Sequence, residues 1–486
     1  MKEVPLAGQG WLSGGEVSQR ESEGSRMAQP TYQQLLDIIG SKDRRIAELE
    51  TQVRQLTAQL QEVFRANKRQ AAPFSKGPPK DPPATPGRKA GPDYGTKAHR
   101  EIPRRKPDEI IDVPLPDRCP DCGGQITEVG QAEQFQMEIP RRPIFRRFDI
   151  HVGRCRGCGK RIQPRHPLQT SDALGAAASQ LGPDAQAAIV HLNKQAGLSH
   201  GKIAAFFWTL FGIRVTPSGV CQAMQRAARR CEPLYQQILA SVPQSPWIVP
   251  DETGWRIGGR LAWMHGFVTP FATVYHVAVG RGYEVAEPII GAKYSGTMIH
   301  DGWSPYDRFI FASHQQCLAH LRRRCKELLE TAVGGAAVFP RQVRQLLTDA
   351  LALRDRRDNG ELSAHGLVCA VGRLESRLDR MLYWTKTHTD NERLAKHLAK
   401  HRNQLFTFLK IPGIDATNYR AEQAMRPAAV NRKVWGGNRT AAGAYAQSVL
   451  MTTLATCRQQ LRDSLRFLAD MLCGRHVRLP LLPAEP

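Results

Sequence analysis

The sequence predicts a multidomain α/β protein: a mixed-sheet core with an all-helical insertion, preceded by a helical region, a small cysteine-rich ribbon and an N-terminal coiled coil. Three observations carry this. The runs Trp247–Trp255 (WIVPDETGW), Arg260–Thr269 and Phe271–Val279 are dense in β-branched and aromatic residues, the rhythm of an antiparallel meander. Two Cys-x-x-Cys pairs, each followed by glycine, stand at Cys119/Cys122 and Cys155/Cys158. A heptad repeat of apolar residues runs from Tyr32 to Val63.

The chain has 486 residues, enough for several domains and at least one large core. Lys and Arg number 68 against 45 Asp and Glu, a formal charge of +23, which points to a polyanionic partner, nucleic acid above all. No run of eighteen apolar residues occurs and the first residues lack a signal peptide's apolar segment, so a cytoplasmic protein is expected. Eleven cysteines in that compartment argue against disulfides.

Residues 1–31 are polar and rich in Gly and Ser, and are expected to be disordered, with Met27 a candidate start. In the coiled-coil segment 32–65, heptad position a holds Ile39, Ile46, Val53 and Leu60. Position d holds Leu35, Leu49, Leu56 and Val63, with Lys42 the one polar entry. β-Branched residues at a with Leu at d favour a parallel two-stranded coil, hence a homodimer or higher assembly; the other reading is a helix packed on its own domain. Residues 66–107 form a basic linker rich in Pro and Gly, which either tracks phosphates or keeps the chain soluble.

Across 108–168, two thiolates from each of two Cys-x-x-Cys turns make the tetrahedral four-sulfur site that zinc prefers, so Cys119, Cys122, Cys155 and Cys158 are expected to bind one structural zinc. Phe135–Ile139 and Ile144–Val152 alternate like a hairpin between them, which suggests a zinc ribbon. Arg141, Arg142, Arg146, Arg147, Arg154, Arg156, Lys160 and Arg161 surround it and suit double-stranded DNA. In the helical region 169–245, Gly201–Phe211, a turn at 212–216 and Pro217–Arg230 resemble a helix-turn-helix, with Thr216 the N-cap and Arg226, Arg229 and Arg230 facing outward. Plain scaffold is the competing reading.

The core is read as two parts, 246–330 and 411–475, around an insertion at 331–410, with a tail at 476–486. Asp251 puts a carboxylate in a strand that should be apolar, and burying such a charge costs several kcal/mol (an order of magnitude) unless a cation compensates it. A helix over Tyr283–Gly291 crosses to a fourth strand, Thr297–His300, ending in Asp301. Such a crossover makes the strand parallel to an earlier one, and pairing with the first strand brings Asp301 beside Asp251. A divalent metal would neutralise the two. Phe309–Phe311 reads as a fifth strand and Gln316–Glu330 as a helix. Thr417 or Asn418 caps a further helix that Pro427 should kink or end, and one amphipathic helix is expected over Ala444–Leu472.

Asp251-Glu-Thr-Gly-Trp255, His300-Asp301-Gly-Trp303, Cys317-x-x-His320-x-Arg322-Arg323 and Asn418-x-x-x-Glu422-x-x-x-Arg426-Pro427 stand in the order seen in the insertion-sequence-66 (IS66) family of bacterial transposases. The heptad, the Ala72-Pro-Phe-Ser75 basic linker and the paired cysteines share the resemblance, which runs from about residue 30 to 475. It implies an RNase H-like catalytic fold and a DDE triad at Asp251, Asp301 and Glu422. It also implies two magnesium or manganese ions, DNA strand cleavage and transfer at transposon ends, and possible small accessory proteins of the same element. Glu252 alternates to the opposite face of its strand, where it either supports the site from behind or faces solvent, and Asp307 has a capping role as its rival reading. Glu327 and Glu330 compete with Glu422 for the third acid, and Cys317-x-x-His320 is half a metal motif read as structural or substrate-orienting. The functional alternatives are a catalytically inactive DNA-binding regulator and a host nuclease of the same fold.

Overall fold

The structure, a computed structural model, describes residues 31–68, 103–136, 139, 142–174, 181–475 and 477–481. Almost all of the expected disordered segment 1–31, most of the linker 66–107, Arg141 and the end of the tail lie outside the described residues. The chain divides into two units, residues 1–136 and 137–486.

The first unit holds one long helix, α1 (Tyr32–Lys68). Ile39, Ile46, Leu49, Val53 and Leu56 on its seam are all exposed. Cys119 opens a tight turn in which Cys119 N donates to Gly124 O at 3.0 Å and Gly123 N to Cys119 O at 2.9 Å. The backbone donors of Cys122 and Asp121 lower the Cys119 thiol.

In the second unit the same turn recurs, with Cys155 N donating to Lys160 O and Gly159 N to Cys155 O, both at 2.9 Å. The backbone donors of Cys158 and Gly157 lower the Cys155 thiol. The hairpin read between the cysteine pairs is corrected: the described part of 135–152 holds no strand. Instead β1 (Gly153–Arg154) and β2 (Arg161–Ile162) pair antiparallel across the second turn. The turn's own hydrogen bonds bring these flanks together.

Helices α2 (Pro183–Lys194), α3 (His200–Phe211) and α4 (Pro217–Ser241) follow. Ser199 and Thr216 cap α3 and α4 by accepting from Lys202 N and Gly219 N, while Gly212 ends α3 in the left-handed region. Arg229 and Arg230 are exposed and Arg226 is half-buried.

The central sheet has five strands in the order β5-β4-β3-β6-β7. β3 (Trp247–Ile257), β4 (Arg260–Val268) and β5 (Thr273–Ala278) form the antiparallel meander. After α5 (Tyr283–Ile290), β6 (Thr297–His300) pairs parallel to β3, and β7 (Ser313–Gln316) parallel to β6. The fifth strand thus lies after, not at, Phe309–Phe311. Phe309 buries its ring against Tyr283, 4.9 Å between centroids, and closes a short helical turn, leaving Ile310 and Phe311 exposed. The polar run holds the edge instead because its amides are met: Gln315 donates to Leu405 O at 3.1 Å and Gln316 to Gln404 at 2.7 Å.

Both faces of the sheet are covered. Ile248, Phe267, Val274 and Met298 join one core with α2, α4 and the C-terminal helices. Val249, Val268 and Ile299 join another with α6 (Leu318–Thr331), α7 (Val338–Asp358), α8 (Ala364–Tyr383), α9 (Thr389–Lys400) and α10 (Thr407–Lys410). The chain then forms α11 (Tyr419–Trp435), α12 (Ala441–Gln459) and α13 (Ser464–Leu472).

Two helical readings change. Pro427 lies inside α11 without ending it, since Met425 and Ala428 on either side are buried and packing holds the helix through the missing N–H. Asn418 is the N-cap of that helix but makes no side-chain cap bond. The single helix expected over 444–472 is two: α12 stops, Leu461 takes φ 55°, and Asp463 caps α13 from Leu465 N and Arg466 N. Apolar periodicity continues across the break because Leu454, Cys457, Phe467 and Leu468 enter one core.

α12 also closes the edge of the sheet. The outward amides of Thr273, Tyr275 and Val277 donate to the hydroxyls of Thr456, Thr452 and Ser448 at 3.2, 2.9 and 3.0 Å. Hydroxyls four residues apart on a helix face meet alternate amides of an edge strand, so the edge is left with no open ladder at these positions.

Candidate active site

β3 and β6 pair at Trp247↔Thr297 and Ile248↔Met298. Three residues further along that register, Asp251 comes level with Asp301. Pro250, between them, has no N–H for the ladder, so the strands are free to part where the carboxylates stand. Asp251 shares a face with Val249 and Glu252 takes the other, as strand alternation requires.

Asp251 is half-buried and forms no ion pair among the described residues. Burial pushes its carboxyl up to about 7, reinforced by the charges of Glu252 and Asp301 and, less, of Glu422. Each acid of the trio rests one oxygen on a neighbour. Asp251 Oδ1 accepts from Glu252 N at 2.9 Å, Asp301 Oδ1 from Trp303 N at 2.9 Å, and Glu422 Oε1 lies 3.6 Å from His320 Nε2. Like charges that splay onto local donors do not touch, and among the described residues no three His, Cys, Asp or Glu side chains stand close enough together to hold a metal ion. Glu327 and Glu330, the rival third acids, are exposed on α6, with Lys326 3.7 Å from Glu330.

Sequence reasoning missed most of what surrounds these acids. Of the two readings of Glu252, the buried supporting one fits: Arg281 Nε donates to its Oε1 at 2.9 Å, and Tyr306 donates to its Oε2 at 2.8 Å. Burial nonetheless raises its carboxyl, and burial with the Glu252 charge drives the Tyr306 phenol well above its usual range. The Arg281 guanidinium lies over Trp303 at 3.9 Å and Trp263 at 4.5 Å. Asp307 is engaged by Lys400 at 2.6 Å, so it ties the insertion to the short helical turn between β6 and β7. His300, beside Asp301, is neutral: burial, then the nearby His314, holds it down to about 3.

α11 is pinned along its length, first to the head of α6 and then to β4 and β3, which sets Glu422. At its start, Leu318 N donates to Ala416 O at 2.9 Å and Asn418 N to the buried Cys317 thiol at 3.4 Å. This gives Cys317 a structural role. At mid-helix, Gly266, paired with Asp251 across β3 and β4, leaves room for Met425: a Cβ there would lie 2.6 Å from the Met425 sulfur. Two turns on, Arg432 donates to Gly254 O and to Thr253 Oγ1. At its end, Trp255 packs edge-on to Trp435, 5.6 Å between centroids, and donates to Asn438 at 2.8 Å. Gly437, at φ +115°, runs so close to β3 that a Cβ would come within 2.5 Å of Arg256 O. Every residue of Asp251–Trp255 therefore either carries charge into the site or locks α11 against it. Pairs this far apart in sequence leave no local signal; the only cue was the glycines in otherwise strand-like or aromatic runs.

No described helix is long and apolar enough to cross a membrane. Two proteins of Sinorhizobium fredii (strain NBRC 101917 / NGR234) are similar to the chain. "Uncharacterized protein y4hP" is 24% identical over 424 residues, covering 77% of this chain and 74% of that protein. "Uncharacterized protein y4qI" is 24% identical over 421 residues, covering 80% and 75%. The model of the Transposase IS66 family matches residues 178–446, more than half of the chain and all of the carboxylates described above, so the protein belongs to the IS66 family of transposases.

Proposed function

We propose that the chain cleaves and joins DNA at the ends of its own insertion element, using Asp251, Asp301 and Glu422 as an RNase H-like DDE triad that holds divalent magnesium or manganese. One observation supports this above others: Asp251 is pushed up to about 7 by burial and surrounding carboxylates, with no basic side chain paired to it among the described residues. Acids placed at such expense suit a bound cation. When bound, the metal pair would supply the activation of a water or DNA 3′-hydroxyl and the stabilisation of the leaving oxygen. Asp251, Asp301 and Glu422 would hold the ions, the last two on turning from the donors that now engage them. Glu252, neutralised by Arg281 and Tyr306, stays out of the set and shapes the floor of the site.

DNA recognition falls to other parts of the chain in this reading. Cys119, Cys122, Cys155 and Cys158 would hold one structural zinc, because both turns aim backbone donors at a sulfur and so favour thiolate. The exposed Arg229 and Arg230 of α4 are free for phosphates. The exposed apolar seam of α1 suits a second copy of itself.

The test is strand cleavage of a plasmid carrying the element's terminal repeats, with magnesium or manganese present. Asp301→Asn should abolish cleavage while leaving binding to the repeats unchanged. Cleavage by that variant at the wild-type rate would overturn the reading.

A further inference from the structure

A second basic site lies away from the carboxylates. Between α2 and the α12–α13 turn is a cavity of about 320 Å³, lined among others by His191, Gln195, Arg458, Arg462 and Ser464, with no acidic residue in its wall. None of these five side chains makes a hydrogen bond or ion pair among the described residues, and His191 Nδ1 is buried without a partner. The contrast is close by: Arg466 and Arg475 both pair with Asp470. The nearest acid in sequence, Asp463, spends Oδ1 on the amides of Leu465 and Arg466, though its charge still reaches His191.

The backbone at this rim is strained. Leu461 is the one non-glycine residue with positive φ among the described residues, and it is 95% exposed. It occupies the left-handed position that glycine ordinarily fills at a helix end, held by Leu461 N to Arg458 O at 3.1 Å and Arg462 N to Cys457 O at 2.9 Å. Nothing the leucine packs on explains it. The turn does, however, set Arg458, Arg462 and Ser464 around one opening, and strain that persists beside unpaired polar groups points to function.

We propose that this cavity seats a backbone phosphate of duplex DNA, a contact separate from the catalytic carboxylates. Its wall offers donors and no charge of the opposite sign: two guanidinium forks, an imidazole, an amide and a hydroxyl. That set matches phosphodiester oxygens, and guanidinium takes them two at a time. The choice of DNA over a free polyphosphate rests on the transposase reading above.

The experiment uses the full chain and the double variant Arg458→Ala/Arg462→Ala. Affinity for a duplex carrying the terminal repeat is measured against salt by fluorescence anisotropy, and tripolyphosphate binding by calorimetry. Losing this phosphate contact should weaken DNA binding and make the log–log salt slope shallower by about 1. Arg458→Lys/Arg462→Lys should restore most of the slope, because it keeps the charge. An unchanged slope in a variant with the wild-type melting temperature overturns the proposal. Tripolyphosphate binding that the double variant loses, with no change in the DNA slope, overturns the DNA assignment in favour of a small anion. If the wild type binds no duplex at all, both the transposase reading and the DNA assignment fall. Asp301→Asn separates the two ideas otherwise, since it should remove cleavage and leave this slope untouched.

Discussion

Arg281 and Glu252 form a buried ion pair, 2.8 Å from Nη2 to Oε1, in which the carboxylate is 3% exposed. The same guanidinium lies over Trp303, whose amide holds Asp301. One side chain therefore neutralises the acid behind Asp251 and braces the loop that carries Asp301. Arg281→Met should strip Glu252 of its cation, costing about 3 kcal/mol of stability, the lower part of the range for a broken buried pair because Glu252 can take up a proton. Cleavage should fall at least tenfold with DNA binding retained. Arg281→Lys should rescue little, since an ammonium neither forks nor stacks in the same way. Urea unfolding and cleavage rates check both. A fully active Arg281→Met would mean that Glu252 needs no partner.

Gly266 sets the height of α11 above the sheet. Because its absent Cβ is replaced by Met425, Gly266→Val should lift the helix and carry Glu422 away from Asp251 without altering any charge. Overpacking of this kind costs about 1–3 kcal/mol. Cleavage should drop far more than stability does. Gly266→Ala should be milder, because the thioether can swing aside. Equal activity in Gly266→Val and wild type would show that α11 does not need this approach.

The strand pair bearing Asp251 and Asp301 was legible because crossover and alternation rules act locally and leave periodic traces. The place of Glu422 on α11 beside the sheet was legible only through its motif, since the helical insertion separates it in sequence from the strands. Arg281, Tyr306, Gly266 and Asn438 were not legible, for each acts on a residue tens to hundreds of positions away. The edge at Ser313–Gln316 misled for a related reason. Its strand character comes from side-chain amides satisfied by the insertion, against β-propensities that favour Phe309–Phe311. The hydroxyls of Ser448, Thr452 and Thr456 read as ordinary polar positions of an amphipathic helix, yet they are buried and spent on β5.

Lys194 makes stability depend on pH. Burial holds its ammonium down to about 7 against the usual 10.5. It donates to Gln447 and lies 5.5 Å from the Trp435 ring, with no carboxylate beside it. Between about 7 and 10.5 the unfolded chain binds a proton that the folded chain has released, so this residue's cost shrinks as pH rises through that window. Below 7 both states bind it and the cost is present in full. Lys194→Met should therefore gain most over wild type at or below pH 7. The gain should shrink by up to about 1.4 kcal/mol per pH unit above it. Denaturant midpoints of the two proteins at several pH values test this. A difference that stays constant with pH would refute it.

The seam of α1 makes a prediction about assembly. Ile39, Ile46, Leu49, Val53 and Leu56 are between 44% and 61% exposed in a single copy of the helix. A helix of 37 residues with an apolar stripe in water is stabilised chiefly by what covers the stripe. β-Branched Ile and Val at one heptad position against Leu at the other favour a parallel pair, and in such a pair the single Lys42 would fix the register at some cost. A parallel pair would bring two copies of the chain together, as the joining of two transposon ends requires. Leu49→Ala/Leu56→Ala removes four leucine side chains from the pair, and each such truncation in a packed seam costs about 2–5 kcal/mol. The double variant should sediment as a monomer at concentrations where the wild type is dimeric. It should still cut single ends slowly while failing to bridge two of them. If it remains a dimer, the association lies elsewhere in the chain and α1 serves another partner.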